Sequence, residues 1–438
     1  MLLIYLPQIS SRTQYIFDTI FINEFGIRYN TTDNIAFFEN YTEEKINYSA
    51  NRIADEFFIK AAPFLTENFI RDFEVPVSEK DQIKILFSNS EECNVGFDIF
   101  SAAFYMLSRY EEYLQFTPDK YGRFKAEDSL AYKNNFLQIP IVDKWIGLFK
   151  NLLQKKFPSL KFKSSKFEAI VTYDIDVAYK FKGRSFKRNA GSTIKDLLKL
   201  DFKNIQTRFQ TLHNKCNDPW DTYNYLHKTI TLNNLQSIFF FLLGDNSVYD
   251  RNLRYDNPVM KNLINQIRSF SEIGIHPSYY SSIIAGKIAA EKERLENISA
   301  QTITKSRQHY LKFTFPETYN SLLSCGITED YSMGFAQLPG FRAGTCKPFY
   351  FYDLKNEKIT ALKIYPITCM EASFIYYSKI SPAKALVEIL NLLKEVKKVD
   401  GTFISIWHND NLADDKLNKK WYSVHNSMIS QIKTYLRK

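Results

Sequence analysis

The chain has 438 residues, a length that suggests two or three domains. Apolar residues make up 45% and charged residues 24%, and Gly and Pro number only 14 each, which excludes a disordered, collagenous or low-complexity chain. The net charge of +9 is concentrated: Lys155 to Lys215 holds 15 Lys/Arg against 5 Asp/Glu, a surplus of 10, so the rest of the chain is near neutral. A local surplus points to one anion-attracting surface rather than to a nucleic-acid-binding protein.

In chain order, the apolar start Met1–Leu6 is shorter than a signal-peptide core and reads as a first strand. The first 154 residues form an expected N-terminal accessory domain of mixed α/β type. Within it, apolar periodicity predicts helices over Phe97–Leu114 and Ile139–Leu153. It contains no histidine and no cluster of chemically competent residues, so a structural or partner-binding role is expected. A Lys/Ser/Pro-bearing linker is placed at 155–165, and a catalytic domain at 166–438.

The second part alternates strands and helices. Strands are expected over 167–173, Ser237–Leu243, Glu272–His276, His309–Phe313, Gly326–Asp330, Leu362–Pro366 and Thr402–His408. Helices are expected over Thr222–Asn233, Pro258–Ser269, Ala285–Glu296, Pro316–Ser324 and Ser381–Val399, and 180–188 is read as a basic loop. Such alternation implies a parallel sheet, most simply a barrel whose active face lies at the C-terminal strand ends. No span reaches the ~20 apolar residues of a transmembrane helix. The five cysteines are scattered without a CxxC, against a disulfide framework or zinc ribbon. Together these predict a cytoplasmic location. The motifs G-x-S-x-G, G-x-G-x-x-G and G-x-x-x-x-G-K-[ST] are all missing, against a serine hydrolase or a nucleotide-binding loop.

Polar residues recur at the predicted strand ends. Asp174 and Asp176, two apart, share a strand face. His276 follows Glu-Ile-Gly-Ile, Arg307 and His309 head a later strand, Arg342 lies in Gly-Phe-Arg-Ala-Gly-Thr, and His408 ends Phe-Ile-Ser-Ile-Trp-His. In order and spacing, Thr172-Tyr-Asp-Ile-Asp176, Glu272-Ile-Gly-Ile-His276 and Trp407-His408 resemble the polysaccharide deacetylase (NodB homology) family, closest to bacterial members, over roughly 166–438.

The resemblance implies a distorted (β/α) barrel and a hydrolase that removes N-acetyl groups from a sugar or glycan with a divalent metal, zinc by type. It assigns Asp174 as general base, Asp176 and His276 as metal ligands, and His408 as general acid. Where the family carries its second metal histidine, this chain has Tyr280. His309 is the candidate third ligand, with a core hydrogen-bonding histidine as the alternative. Tyr280 fits less well as a phenolate ligand, given an ordinary pKa near 10. Arg307 and Arg342 are both candidates for the arginine that holds the base ionised, and Ser278, Asp330 and Trp407 are candidate substrate-binding residues. The basic 180–188 loop suggests an anionic or lipid-linked glycan and a peripheral membrane contact. Two alternatives stay open: a sugar-binding relative without activity, and a metal-dependent amidase or esterase with another substrate.

Overall fold

The computed structural model describes residues 1–89, 93–413 and 419–437. Strands β1 (Leu2–Tyr5), β2 (Tyr29–Thr32), β3 (Lys45–Ser49) and β4 (Phe57–Lys60) form a parallel sheet in the order β2-β1-β3-β4. A hairpin of β5 (Val77–Lys80) and β6 (Ile83–Leu86) follows, its turn residues Asp81 and Gln82 both at positive φ, the twist that a two-residue hairpin needs.

Nine strands make the larger sheet: β7 (Glu168–Ile175), β8 (Gln236–Phe241), β9 (Glu272–Ile275), β10 (Lys305–Ser306), β11 (Glu329–Asp330), β12 (Phe349–Asp353), β13 (Lys358–Ile364), β14 (Cys369–Met370) and β15 (Thr402–His408). Their order is β12-β13-β11-β10-β9-β8-β7-β15-β14, with every pairing parallel except β12 with β13. The architecture is mixed α/β with parallel sheets. The hydrogen-bonded ladder is open, ending at β12 and β14, where a closed barrel is the simplest expectation from the sequence.

Period-two alternation gives this sheet two different faces. Val171, Tyr173, Ile175, Phe239, Phe241, Phe403 and Trp407 join a core shared with the helices. Ile170, Ile238, Phe240, Ile404 and Ile406 form a second, smaller cluster on the other face. Asp174 and His408 are partners in the β7–β15 register, and they extend this second face at its C-terminal edge. The site therefore stands on an apolar floor.

The larger core is continuous into the N-terminal region. Arg12, fully buried, pairs with Glu357 beyond β12, and the Tyr15 hydroxyl donates to the Tyr350 carbonyl at 2.8 Å. The helix expected over Phe97–Leu114 runs only over Ile99–Leu107. Arg109 (φ 55°) breaks it, and its guanidinium pairs with Glu112 at 2.8 Å.

Two further expectations need correction. The stretch His309–Phe313 is not a strand. The strand there is only Lys305–Ser306, and the chain then turns through Tyr310 (φ 63°) and Leu311 (φ 51°), which places His309 beyond the strand end. The basic loop ends at Ser185, because Phe186–Leu198 is a helix capped by the Ser185 hydroxyl. Strands β12 and β14 have no counterpart in the sequence reading; β14 is only two residues long.

His425, on the helix Lys419–Leu436, is fully buried between the hydroxyls of Tyr225 (2.7 Å) and Tyr173 (3.1 Å), and burial lowers its pKa to about 3. The unfolded chain takes up this proton below about 6.5 and the native chain does not, so the contribution of His425 to stability is flat above that pH and falls below it. We expect His425→Gln, which keeps polar atoms for both hydroxyls, to remove up to ~1.4 kcal/mol of slope per pH unit between about 6 and 3. Urea unfolding across that range checks this; parallel stability profiles for parent and variant would refute it.

Candidate metal centre

Four strand ends converge on one cleft of about 700 Å³, lined by Asp174, Asp176, His276, His309 and His408. Asp174 ends the buried face of β7, and Asp176 lies just beyond. His276 follows β9, His309 follows β10, and His408 closes β15.

Asp176 is the hub. Its Oδ1 lies 3.1 Å from His276 Nε2, and its Oδ2 lies 3.3 Å from His309 Nε2 and 3.6 Å from His408 Nε2. Each imidazole is fixed from behind by an acceptor. The Nδ1–H of His276 donates to the Arg307 carbonyl, that of His309 to Asp250 at 2.8 Å, and that of His408 to Glu371 at 2.7 Å. Because all three partners only accept, the proton sits on Nδ1, and the Nε2 atoms facing Asp176 are free to act as ligands or to carry a second proton. The electrostatics match. Burial alone would raise the Asp176 pKa, yet His309, His276 and His408 outweigh it and hold the carboxyl well below its usual range. Burial alone would lower His309, but Asp176 and Asp250 raise it to about 9. His408 is likewise raised, with Glu371 the main counterweight to burial. The carboxylates around these rings favour positive charge at this corner of the cleft.

A divalent metal fits this donor set. Among the described residues, Asp176, His276 and His309 each offer a ligand atom within 4.8 Å of the others, and Asp176 Oδ1 is buried without a well-directed hydrogen bond. One carboxylate and two imidazoles held by outer-shell acceptors are the ligand types of a catalytic zinc site, which keeps a further position open.

Asp174, 3% exposed, accepts from Arg307 Nη1 at 2.8 Å through Oδ1, while its Oδ2 lies 3.7 Å from His276 Nε2. Arg307, also buried, is further held by the Tyr331 carbonyl and the Thr172 hydroxyl and lies over the Phe240 ring. Arg342 is not brought to Asp174. It pairs with Glu112 (Nε to Oε1 2.8 Å), donates to the Gly334 carbonyl, and packs against Phe313 and Phe335. Ser278 is spent on Glu291, and Asp330 on Ser306 and Ser332. Trp407 is one strand position from His408 and so points to the helix-packed face, against His425. Tyr280 packs beside Tyr249 and Tyr279 and does not line the cleft.

Asp250 and Glu371 escaped the sequence reading. Glu371 directly follows β14, so it carried the same signal as Asp174, a carboxylate at a strand end, but on a strand too short to recognise. The N-terminal region, for which a structural or partner-binding role is expected, also reaches the site. Lys120, Tyr121 and Arg123 line the cleft; Arg123 donates to the Tyr310 carbonyl at 2.8 Å, and the Tyr121 and Tyr310 rings lie 4.9 Å apart. That bond helps hold Tyr310 in its left-handed conformation.

Residues 2–158 match a family model described as a family of unknown function (DUF7033). No curated protein matches the chain. Solved structures with some likeness include a protein assigned as a polysaccharide deacetylase from Mycobacterium smegmatis, 14% identical with a TM-score of 0.40, covering 63% of this chain and 92% of that one. A polysaccharide deacetylase from Bacillus cereus is 11% identical with a TM-score of 0.31, over 61% of this chain and 88% of that one. A CE4 family pseudoenzyme from Bacillus anthracis is 9% identical with a TM-score of 0.32, over 61% of each chain. At these values the likeness fixes neither fold nor function for this chain.

Proposed function

We propose that the protein is a metal-dependent hydrolase that removes N-acetyl groups from a sugar or glycan. Asp176, His276 and His309 would hold the metal, Asp174 would be the base and His408 the acid. The observation that carries this reading is the convergence of imidazole Nε2 atoms on Asp176, each ring locked through Nδ1 by an acceptor.

A divalent ion bound there supplies electrophilic activation of an acyl carbonyl and acidity to water. The chain's own residues do the rest. Asp174, paired with Arg307 through Oδ1, takes a proton from the attacking water through Oδ2. His408, charged against Glu371, faces the cleft with Nε2 and returns a proton to the departing amine. Tyr249, Tyr310 and Tyr376 on the cleft wall offer flat faces for a pyranose ring, and Lys120 and Arg251 add positive charge suited to an anionic glycan.

Elemental analysis of the purified protein tests this together with acetate release from N-acetylated sugars and from simple esters. Near-stoichiometric divalent metal, lost in His276→Ala and in His309→Ala along with acetate release from the sugars, is the expected result. Metal lost with His276 alone would return His309 to a structural role. Hydrolysis of esters without sugars would replace the substrate class, and absence of metal even after reconstitution would overturn the reading.

A further inference from the structure

Directly after Asp176 the chain leaves the sheet and builds a helical hairpin, α1 (Phe186–Leu198) and α2 (Phe202–Leu212), joined by Lys199–Asp201. Its base is rigid: the buried Asp218 carboxylate accepts the backbone N–H groups of Lys180, Phe181 and Lys182 at 2.7–2.9 Å. The two helices run antiparallel, as the cross-links from Asn204 to Asp196 and from Arg208 to Thr193 and Asp196 require.

The amphipathic pattern is inverted. The seam between the helices is polar, with Arg208 buried in it against the Asn189 carbonyl, Thr193 and Asp196. The apolar residues face outward: Phe186 is 86% exposed, Leu198 81%, Leu200 73% and Phe202 61%, with Ile194, Leu197 and Phe209 also more than half exposed. A helix that packs on its own protein buries the apolar stripe and shows the polar one. At about 100° per residue, Ile194, Leu197 and Leu198 share one side of α1, and Phe202, Phe209 and Leu212 share one side of α2. Both stripes sit about 110° from the polar seam in the same rotational sense, so on antiparallel helices they face the same side. The result is one apolar face toward the tip of the hairpin, with Lys187 on the same side at its base and Lys195, Lys199, Lys203 and Gln206 on the sides away from it.

The charge specifies the occupant. From Lys180 to Lys215 there are ten Lys/Arg against two Asp/Glu. Exposed Leu and Phe on one face with lysines around them is the signature of an element lying in the interface of an anionic bilayer. No described helix is long and apolar enough to cross a membrane. We propose that the 186–212 hairpin docks the protein peripherally on an anionic lipid surface, its apolar face seated at the headgroup–acyl boundary. The proposal does not depend on the deacetylase reading: the test below needs no turnover, so the two readings fail separately.

The full chain is sedimented with vesicles of phosphatidylcholine alone and of phosphatidylcholine mixed with phosphatidylglycerol, at low and high salt. We expect binding to the mixed vesicles that weakens with salt, and at least about tenfold weaker binding for Leu197→Ser/Leu198→Ser/Leu200→Ser. The substituted side chains are exposed, so the thermal midpoint should not move. In a Phe202→Trp variant, the emission gained over the parent should shift to the blue when mixed vesicles are added. No binding by the parent, equal binding by the triple variant, or no shift of the new tryptophan would overturn the proposal. So would a concentration-dependent dimer that the triple variant abolishes while the parent ignores vesicles, which would make the face a contact between two copies.

Discussion

Asp174→Asn should lower the turnover number for acetate release by about 10²–10⁴-fold, the usual contribution of a positioned general base, while leaving metal content unchanged. The substitution keeps the shape of the side chain and an oxygen for the Arg307 bond at 2.8 Å, and removes the carboxylate's charge together with its ability to take a proton. Asp174 is not among the three residues whose ligand atoms cluster, so the metal should stay. Measuring turnover and bound metal on the same preparations separates the roles. Activity within threefold of the parent would remove Asp174 as base. Loss of metal in the Asn variant would make it a ligand instead, and the division of labour between the two aspartates would have to be redrawn.

The residues of this centre were legible in the sequence because strand periodicity and strand ends are local properties. Asp174, Asp176, His276 and His408 each close an apolar run, and the structure gathers them at one edge of one sheet face. His309 reaches the same place by a different route, a left-handed turn at Tyr310 rather than a strand. What local pattern does not carry is who partners whom. Arg342 has the more suggestive neighbourhood, Gly-Phe-Arg-Ala-Gly-Thr, yet it is committed to Glu112, 230 positions away, and Arg307 reaches Asp174. The same parity that places His408 in the cleft turns Trp407 out of it. The 186–212 hairpin was hidden by its own inversion. Its apolar residues do recur at helical spacing, but the sequence reading takes 180–188 as a basic loop and assigns nothing over 189–212, and only the burial of Arg208 against Thr193 and Asp196 reveals which side faces which.

Arg307→Met should destabilise the protein by about 3–5 kcal/mol, the cost of leaving a buried charge without its partner. Methionine retains much of the stem that packs on Phe240, so the loss falls on the guanidinium, which serves Asp174, Thr172 and the Tyr331 carbonyl at once. Asp174 is 3% exposed and no water can replace that charge cheaply. The histidine side of the centre should be less affected, because His276 Nδ1 is held by the backbone carbonyl of residue 307 and not by its side chain. Combining Arg307→Met with Asp174→Asn removes both charges together, and the double variant should be more stable than the sum of the two single losses predicts, by about 1–3 kcal/mol. Urea unfolding of the four proteins measures this directly. A loss below about 1 kcal/mol for Arg307→Met, or strict additivity in the cycle, would mean that the pair is not the buried charge couple that holds the base in place.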